Sequence, residues 1–110
     1  MTSNFEFVDY VCEQLASAGE ITYRKMFGSY GIYMDGKFIG LICNDQFFLK
    51  PTSVGRTILG TPHEEAPFDG AKDWFVIEDL DNNELLRSLL LATWDELAFQ
   101  KPKKRKKAHT

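Results

Sequence analysis

The segment Gly31-Ile-Tyr-Met-Asp-Gly-Lys-Phe-Ile-Gly40 sets the pair Asp35-Gly36 between two runs of apolar and aromatic residues. A two-residue hairpin turn of type I′ needs positive φ at both central positions, and Asp-Gly is one of the pairs that accept this most readily. The segment therefore predicts an antiparallel hairpin, in which facing glycines would leave a bare patch for a packed helix or a ligand. The predicted register pairs Met34 with Lys37, Tyr33 with Phe38, Ile32 with Ile39, and Gly31 with Gly40.

The flanking residues extend the hairpin into an α+β pattern with the order α-β-β-β-β-α-β-α. Helices can cover only one face of a sheet of this size, so we predict a two-layer sandwich with an antiparallel meander sheet. The first predicted elements are a helix at 4–18, which starts with a Ser3/Glu6 capping box, and strands within 21–50, which turn at Asp35-Gly36 and Asn44-Asp45. A short helix from Thr52 or Ser53 to Leu59, a loop at 60–72 and a strand at Trp74–Ile77 are predicted to follow. The last predicted helix is capped by Asp81 and Glu84 and ends at about residue 99, before Pro102.

Both faces of the predicted sheet are apolar. An apolar sheet face without helices indicates a homodimer or a docking surface, or else a long loop covers it, and the sequence leaves these alternatives open. The predicted register places Phe38, Ile42, Phe47 and Leu49 on one face, and Ile39, Leu41 and Phe48 on the other.

Composition limits the class of protein. The chain has 110 residues and a mass of 12.6 kDa, the size of one domain, and 44% hydrophobic with 26% charged residues exclude a mainly disordered chain. No apolar run approaches the ~20 residues of a membrane helix, and the polar start lacks the pattern of a secretory signal. Cys12 and Cys43 are too few for a disulfide framework and lack metal-site spacing. The sequence therefore predicts a cytoplasmic protein with reduced thiols and no membrane contact.

Charge divides the chain into a domain at residues 1–100 and a basic tail at residues 101–110. The domain has seven basic and sixteen acidic residues, a formal net charge of −9, whereas the tail carries +6. We predict a disordered tail with three open roles: a solvated terminus, a nuclear-import signal, or an anchor for nucleic-acid phosphates. Its candidate nucleic-acid contacts are Lys101, Lys103, Lys104, Arg105, Lys106 and Lys107.

Residues with catalytic chemistry are sparse. His63, in the predicted loop, could form a nucleophilic dyad with Cys43, although Cys43 is better explained as a small apolar strand residue. The carboxylates of Glu64-Glu65, Asp69 and Asp73 could serve acid–base chemistry, but loop acids this close in sequence are usually only solvated.

The segment Gly28-Ser-Tyr-Gly31 follows two basic residues, Arg24-Lys25, and so invites comparison with phosphate-binding loops. It matches neither the P-loop nor the dinucleotide fingerprint, and no helix follows it to offer its N-terminus. The residues alone predict no catalytic site, no metal and no cofactor.

A Met-Phe-Gly triplet followed by glycines at fixed distances is the most distinctive pattern in the chain. The residues that carry it are Arg24, Met26, Phe27, Gly28, Gly31, Ile32, Tyr33, Gly36 and Phe48-Leu49-Lys50. The pattern resembles the N-terminal domain of the TfoX (Sxy) family of bacterial competence regulators, which carries R-x-MFGG-x-G-[IL]-[YF], a glycine hairpin and an apolar strand ending in [YF]-L-K. The resemblance covers about residues 5–98, with Ser29 in place of the second glycine of the family's Gly-Gly.

The resemblance implies a two-layer fold with a sheet similar to that of secretion-chaperone-like domains, and no enzyme activity. It also implies a link to transcriptional activation of DNA-uptake genes, with a cyclic-AMP-receptor-type activator as partner. Full-length regulators of the family carry a second, helical domain, where this chain has its basic tail. Because the apolar and glycine residues of the motif serve the core and the turns, Arg24, Lys25 and Lys50 are the candidate partner contacts.

Three hypotheses follow. The first is a non-enzymatic adaptor that works by protein–protein contact, with a role in transcription regulation. The second is a nucleic-acid accessory protein anchored by its basic tail. The third is a small-molecule binder or enzyme whose site lies in the loop at 60–73, near His63.

Overall fold

The computed structural model describes residues 5–26 and 28–105 of the chain, with side chains up to residue 97. The described residues form three helices, α1 (Phe5–Leu15), α2 (Ser53–Leu59) and α3 (Asn83–Arg105), and six strands, β1 (Ile21–Met26), β2 (Ser29–Met34), β3 (Lys37–Cys43), β4 (Gln46–Leu49), β5 (Glu64–Glu65) and β6 (Trp74–Ile77). The predicted order is confirmed, with β5 as an addition inside the predicted loop.

One open antiparallel sheet contains the six described strands, in the order β1-β2-β3-β4-β6-β5. The helices pack on one face of this sheet, the inner face, and no helix of the described residues lies on the opposite, outer face. The two-layer α+β prediction is confirmed. The inner core joins Val8, Val11 and Leu15 of α1 and Leu86, Leu89 and Leu90 of α3 to Ile32, Ile42, Phe47, Leu49 and Phe75 of the sheet.

The two predicted hairpin turns are present. Asp35 and Gly36 have φ of 49° and 82°, and Asn44 and Asp45 have φ of 53° and 58°. Positive φ at both central positions is the type I′ pattern, whose twist matches that of the flanking strands. These turns fix the order β2-β3-β4.

The predicted register of β2 and β3 is correct only near the turn. Beyond Tyr33 a β-bulge shifts the pairing, so that Ile32 faces Gly40 and Gly31 faces Leu41. The predicted pairs of Ile32 with Ile39 and of Gly31 with Gly40 are wrong. A bulge places one extra residue in one strand, and both faces of this sheet are apolar, so hydrophobic pattern could not reveal the shift.

The bulge exchanges the faces that the sequence predicted for β3. Ile39 joins Ile42 and Phe47 in the inner core, whereas Phe38 lies on the outer face with Leu41 and Phe48. The predicted grouping of Phe38 with Ile42, and of Ile39 with Leu41, is therefore wrong.

The predicted bare patch between facing glycines is absent from the described sheet. A Cβ on Gly31 would lie 2.6 Å from Met26 Cε, and a Cβ on Gly40 would lie 2.6 Å from the Phe48 carbonyl oxygen and 2.8 Å from the Phe47 ring. Each glycine is thus covered by residues of an adjacent strand, and the absence of a Cβ permits this close packing.

The helix ends differ in detail from the prediction. Thr52 caps α2, since its hydroxyl oxygen accepts from Gly55 N at 3.0 Å. Helix α3 is capped by Asn82, whose Oδ1 accepts from Leu85 N at 3.1 Å, because the predicted cap Asp81 accepts from the Tyr10 hydroxyl instead. Helix α1 ends at Leu15 rather than near residue 18.

Helix α3 also continues beyond its predicted end near residue 99 and reaches Arg105. Pro102 does not stop it, because a proline removes one helical hydrogen bond and can bend a helix without ending it. Residues 101–105 are therefore helical, contrary to the predicted disordered tail. The remainder of the predicted tail, residues 106–110, and the Ser3 end of the predicted capping box lie outside the described residues.

Trp94 fastens α3 to the β2–β3 hairpin. Its indole Nε1 donates to the Met34 carbonyl oxygen at 2.9 Å, and the Lys37 ammonium lies 5.1 Å from the centre of its ring. The hairpin turn is thereby held against the helical layer.

Candidate interaction surface on the outer face

The central part of the outer face is a small second core. Leu41, Phe48 and Val76 are paired across β3, β4 and β6, and all three are buried. The neighbouring Cys43 thiol donates to the carbonyl oxygen of the buried Pro67 at 3.3 Å, which places the loop after β5 over this region. The loop therefore reaches the Cys43 end of this cluster, and the dimer and docking alternatives for the second apolar face stay predictions.

Beside this core runs a partly exposed row of aromatic rings and cations, which we call the motif strip. Ring centres lie 5.4 Å apart for Tyr33 and Phe38 and 6.1 Å apart for Phe38 and Trp74. The Arg24 guanidinium carbon is 5.4 Å from the Tyr33 ring centre, and the Lys50 ammonium is 4.7 Å from that of Phe38. Cation–π contacts at exposed sites are worth about 0.5–1 kcal/mol each. The strip therefore places its two positive charges over an aromatic surface.

The other family-motif residues have structural tasks. Gly28 and Gly36 have φ of 80° and 82°, in the left-handed region that glycine adopts without strain. Met26 packs on the outer face against Gly31. Phe27 lies outside the described residues.

The three predicted contact residues do not share one surface. Arg24 and Lys50 both lie in the motif strip. Lys25 follows Arg24 in β1, and because successive side chains of a strand point to opposite faces, its exposed side chain is directed to the inner side. The structure thus brings together two of the three predicted contact residues, Arg24 and Lys50. Strand β1 presents one cation on each face of the sheet.

Strand β1 forms one edge of the described sheet and pairs with β2 alone. Four consecutive residues of β1, from Thr22 to Lys25, are exposed. Tyr23 is 46% exposed and packs edge-on against Phe5, itself 49% exposed, and against Tyr30, with ring centres 5.7 and 5.8 Å away. Sequence reasoning missed this edge cluster, because it depends on where α1 packs.

At the opposite edge of the sheet, His63 is held between two carboxylates. Its Nδ1 lies 3.0 Å from Glu78 Oε2 and its Nε2 lies 2.8 Å from Glu65 Oε2. The hydrogen bonds to Glu78 and then Glu65 raise the pKa of His63 above its ordinary value. Because both ring nitrogens are engaged, the imidazole has no lone pair available for general-base chemistry in this arrangement.

The predicted catalytic alternatives for this region are not assembled. Cys43 contacts Ser29 Oγ at 3.0 Å and Pro67, rather than His63. Glu64 and Glu65 are successive residues of β5 and point to opposite faces, where Arg56 and His63 respectively bind them. No group of three His, Cys, Asp or Glu side chains suited to a metal ion occurs among the described residues.

Comparison with known proteins places the fold in a family. The profile of the TfoX N-terminal domain matches residues 13–97. The chain belongs to the TfoX N-terminal domain family. One relative, an uncharacterized 12.7 kDa protein in the trpE 5′ region of Spirochaeta aurantia, is 32% identical over 107 residues, which is 96% of this chain and 93% of the relative. The resemblance predicted from the sequence is confirmed.

The TfoX N-terminal domain match runs from within α1 to the middle of α3 and so includes the whole sheet. It makes the chain a competence-regulator-like domain, of a family that is not a known enzyme family. Across the part of this TfoX domain that the structure describes, we find no helix with the length and apolarity to cross a membrane.

Proposed function

We propose that this TfoX N-terminal domain is a non-enzymatic adaptor that acts by protein–protein contact in transcription regulation in the cytoplasm. The observation that supports the proposal is the motif strip, in which Arg24 and Lys50 are each stacked on an aromatic ring. Arginine, tyrosine and tryptophan are the residues most enriched where interfaces gain their energy. The aromatic rings also lose little conformational entropy when a partner binds, because they have few rotatable bonds.

The chemistry of the described side chains favours contact over catalysis. The two candidates for nucleophile and base, Cys43 and His63, are engaged with different partners and do not meet. A general base and its nucleophile must lie within hydrogen-bond reach of one another. The partner that the family suggests is a transcription activator of the cyclic-AMP-receptor type.

The test is binding of the full chain to that activator from the same bacterium, measured by calorimetry with cyclic AMP present. We expect a stoichiometric complex that the charge reversal R24E/K50E weakens at least tenfold. The matched control, K72E/R87E, reverses two exposed cations outside the strip and should bind as the wild type does. Depletion of the protein should also lower transcripts of DNA-uptake genes. Absence of a complex together with unchanged transcripts would refute the proposal.

Nucleic-acid binding through the basic end of α3 is a second candidate function. Six basic residues lie between positions 101 and 107, next to a domain of net charge −9, and α3 carries the first four of them to Arg105. Six neutralised phosphates predict that log affinity for duplex DNA falls against log salt with a slope of about −5. Fluorescence anisotropy with a labelled duplex should show this slope for the full chain and its loss for a chain ending at Gln100. A flat salt response of the full chain excludes this function.

A further inference from the structure

We propose that the edge of β1 that pairs with no other described strand binds an extended acidic segment of the protein partner as an additional antiparallel strand. The inference rests on the proposed adaptor function and identifies the surface and the chemistry of the contact. It stands on three observations at the edge: its backbone, its charge and its exposed rings.

The backbone groups of every second residue of β1, Tyr23 and Lys25 among them, are directed away from the sheet. Asp35 N donates to the Glu20 carbonyl oxygen at 2.8 Å, so Glu20 directs its carbonyl to β2. In an antiparallel ladder, alternate residues exchange hydrogen bonds with a given neighbour. Thr22 and Arg24 therefore bond to β2, whereas the N–H and C=O groups of Tyr23 and Lys25 point to the open side. A row of such groups is a template for another strand.

Charge selects an acidic strand. Residues 21–34 contain no acidic residue, although the first hundred residues carry −9 in total. Arg24 on the outer side and Lys25 on the inner side are exposed, and neither takes part in a salt bridge with a described residue. A second copy of β1 would bring like charges together across the new pair, which is destabilising. Neighbouring Asp or Glu residues on a partner strand would instead meet one cation on each side.

The exposed rings favour binding over simple protection of the edge. Proteins often place Lys on an edge strand to prevent unwanted pairing, or make the edge strand very short. The other edge of this sheet is short, since β5 has two residues. By contrast, β1 has six residues and keeps Tyr23 and Phe5 about half exposed beside its backbone. Such rings would pack against apolar side chains of an added strand.

The experiment uses the full chain labelled with nitrogen-15 and the capped peptide Val-Thr-Val-Glu-Glu-Val-Thr-Val as probe. Amide hydrogen exchange is followed by NMR at low salt, with and without the peptide. We expect the amides of Tyr23 and Lys25 to exchange rapidly in the free protein and at least tenfold more slowly with peptide. The amides of Thr22 and Arg24, already paired with β2, should be protected in both states.

Two matched controls separate strand addition from other binding. The same peptide with every backbone amide N-methylated lacks ladder donors on both of its edges and should give no protection. The variant R24E/K25E should lose the acidic peptide and bind its Lys-Lys counterpart, whereas K72E/R87E should behave as wild type. Both replaced pairs are exposed, and the amide spectrum reports whether each variant is folded.

The inference is overturned if the peptide leaves Tyr23 and Lys25 unprotected, or if protection survives N-methylation. It is also overturned if these amides are protected in the free protein in a concentration-dependent manner, because a second copy would then occupy the edge. If the peptide does not protect the Tyr23 and Lys25 amides while activator binding is intact, strand addition at the β1 edge is refuted and the adaptor function stands. Peptide protection, when no activator complex forms and the transcripts are unchanged, refutes the proposed function and not the edge.

Discussion

Replacement of Gly40 by alanine tests the packing at the β-bulge. The new Cβ would lie 2.6 Å from the Phe48 carbonyl oxygen and 2.8 Å from a carbon of the Phe47 ring. The carbonyl belongs to the backbone of β4, and the Phe47 ring is fully buried, so neither can move without a shift of the sheet or the core. We expect Gly40→Ala to destabilise the fold.

The size of the effect follows from two opposing contributions. Overpacking of a well-packed core typically costs about 1–3 kcal/mol, and more where backbone must move. Alanine recovers about 0.5–1 kcal/mol over glycine within a strand, because the unfolded chain has less freedom to lose. Because backbone must move here, the overpacking cost lies near the upper end of its range, and the free energy of unfolding should fall by about 2 kcal/mol. With a urea m-value of about 1.5 kcal/mol/M, the unfolding midpoint should fall by roughly 1 M.

Gly31→Ala is the matched control in the facing strand. Its Cβ would approach Met26 Cε to 2.6 Å, but that atom is the end of a flexible side chain on the outer face. This variant should lose less than half as much stability as Gly40→Ala in the same urea titration. If the control costs as much as Gly40→Ala, or if Gly40→Ala costs nothing, the bulge does not pack as described.

Three further predictions concern single polar contacts. The NMR titration of His63 should give a pKa above the 6.5 of an exposed histidine, and Glu78→Gln should lower that pKa. Because the pKa of His63 is raised in the folded state, the stability from this contact is complete below the unfolded-state pKa. That stability is lost as the pH rises through the folded-state pKa. Thr93→Val should raise the free energy of unfolding by up to about 1 kcal/mol, since Thr93 Oγ1 is buried without a hydrogen-bond partner among the described residues. Thr52→Ala should cost about 1 kcal/mol, because the cap on Gly55 N is lost; urea titrations measure both.

Each of these predictions has a contrary result. A His63 pKa at or below 6.5, or one that Glu78→Gln leaves in place, would mean that the carboxylates do not bind the ring in solution. Destabilisation by Thr93→Val would reveal a partner for the hydroxyl. An unchanged midpoint for Thr52→Ala would show that the start of α2 is held by other contacts.

The parts of the fold that local chemistry determines were predictable from the sequence. Asp35-Gly36 and Asn44-Asp45 required type I′ turns because few other residues tolerate positive φ twice in succession. The family motif pointed to Arg24, Lys25 and Lys50, of which Arg24 and Lys50 share the motif strip, and their role as partner contacts stays a prediction. Turn chemistry acts within a few residues and so appears directly in the sequence.

Features that depend on tertiary contact were not predictable. The bulge at Ile39 leaves both sheet faces apolar, so hydrophobic pattern fits either register. Glu64-Glu65 has poor strand propensity and pairs only because β6 offers an edge. His63 and Glu78 are distant in sequence and meet only because β5 pairs with β6. The sequence offered no local signal for their contact beyond the strand-like spacing of His63 and Glu65.

The two tryptophans lie in different layers of the molecule. Trp74 belongs to the outer face, whereas Trp94 sits between α3 and the β2–β3 hairpin. Intrinsic fluorescence of this domain is therefore the sum of two independent reporters. Trp94→Phe would leave a tryptophan emission that responds to binding on the outer face, and Trp74→Phe one that responds to the docking of the helical layer. The two variants therefore report on different layers without any added dye.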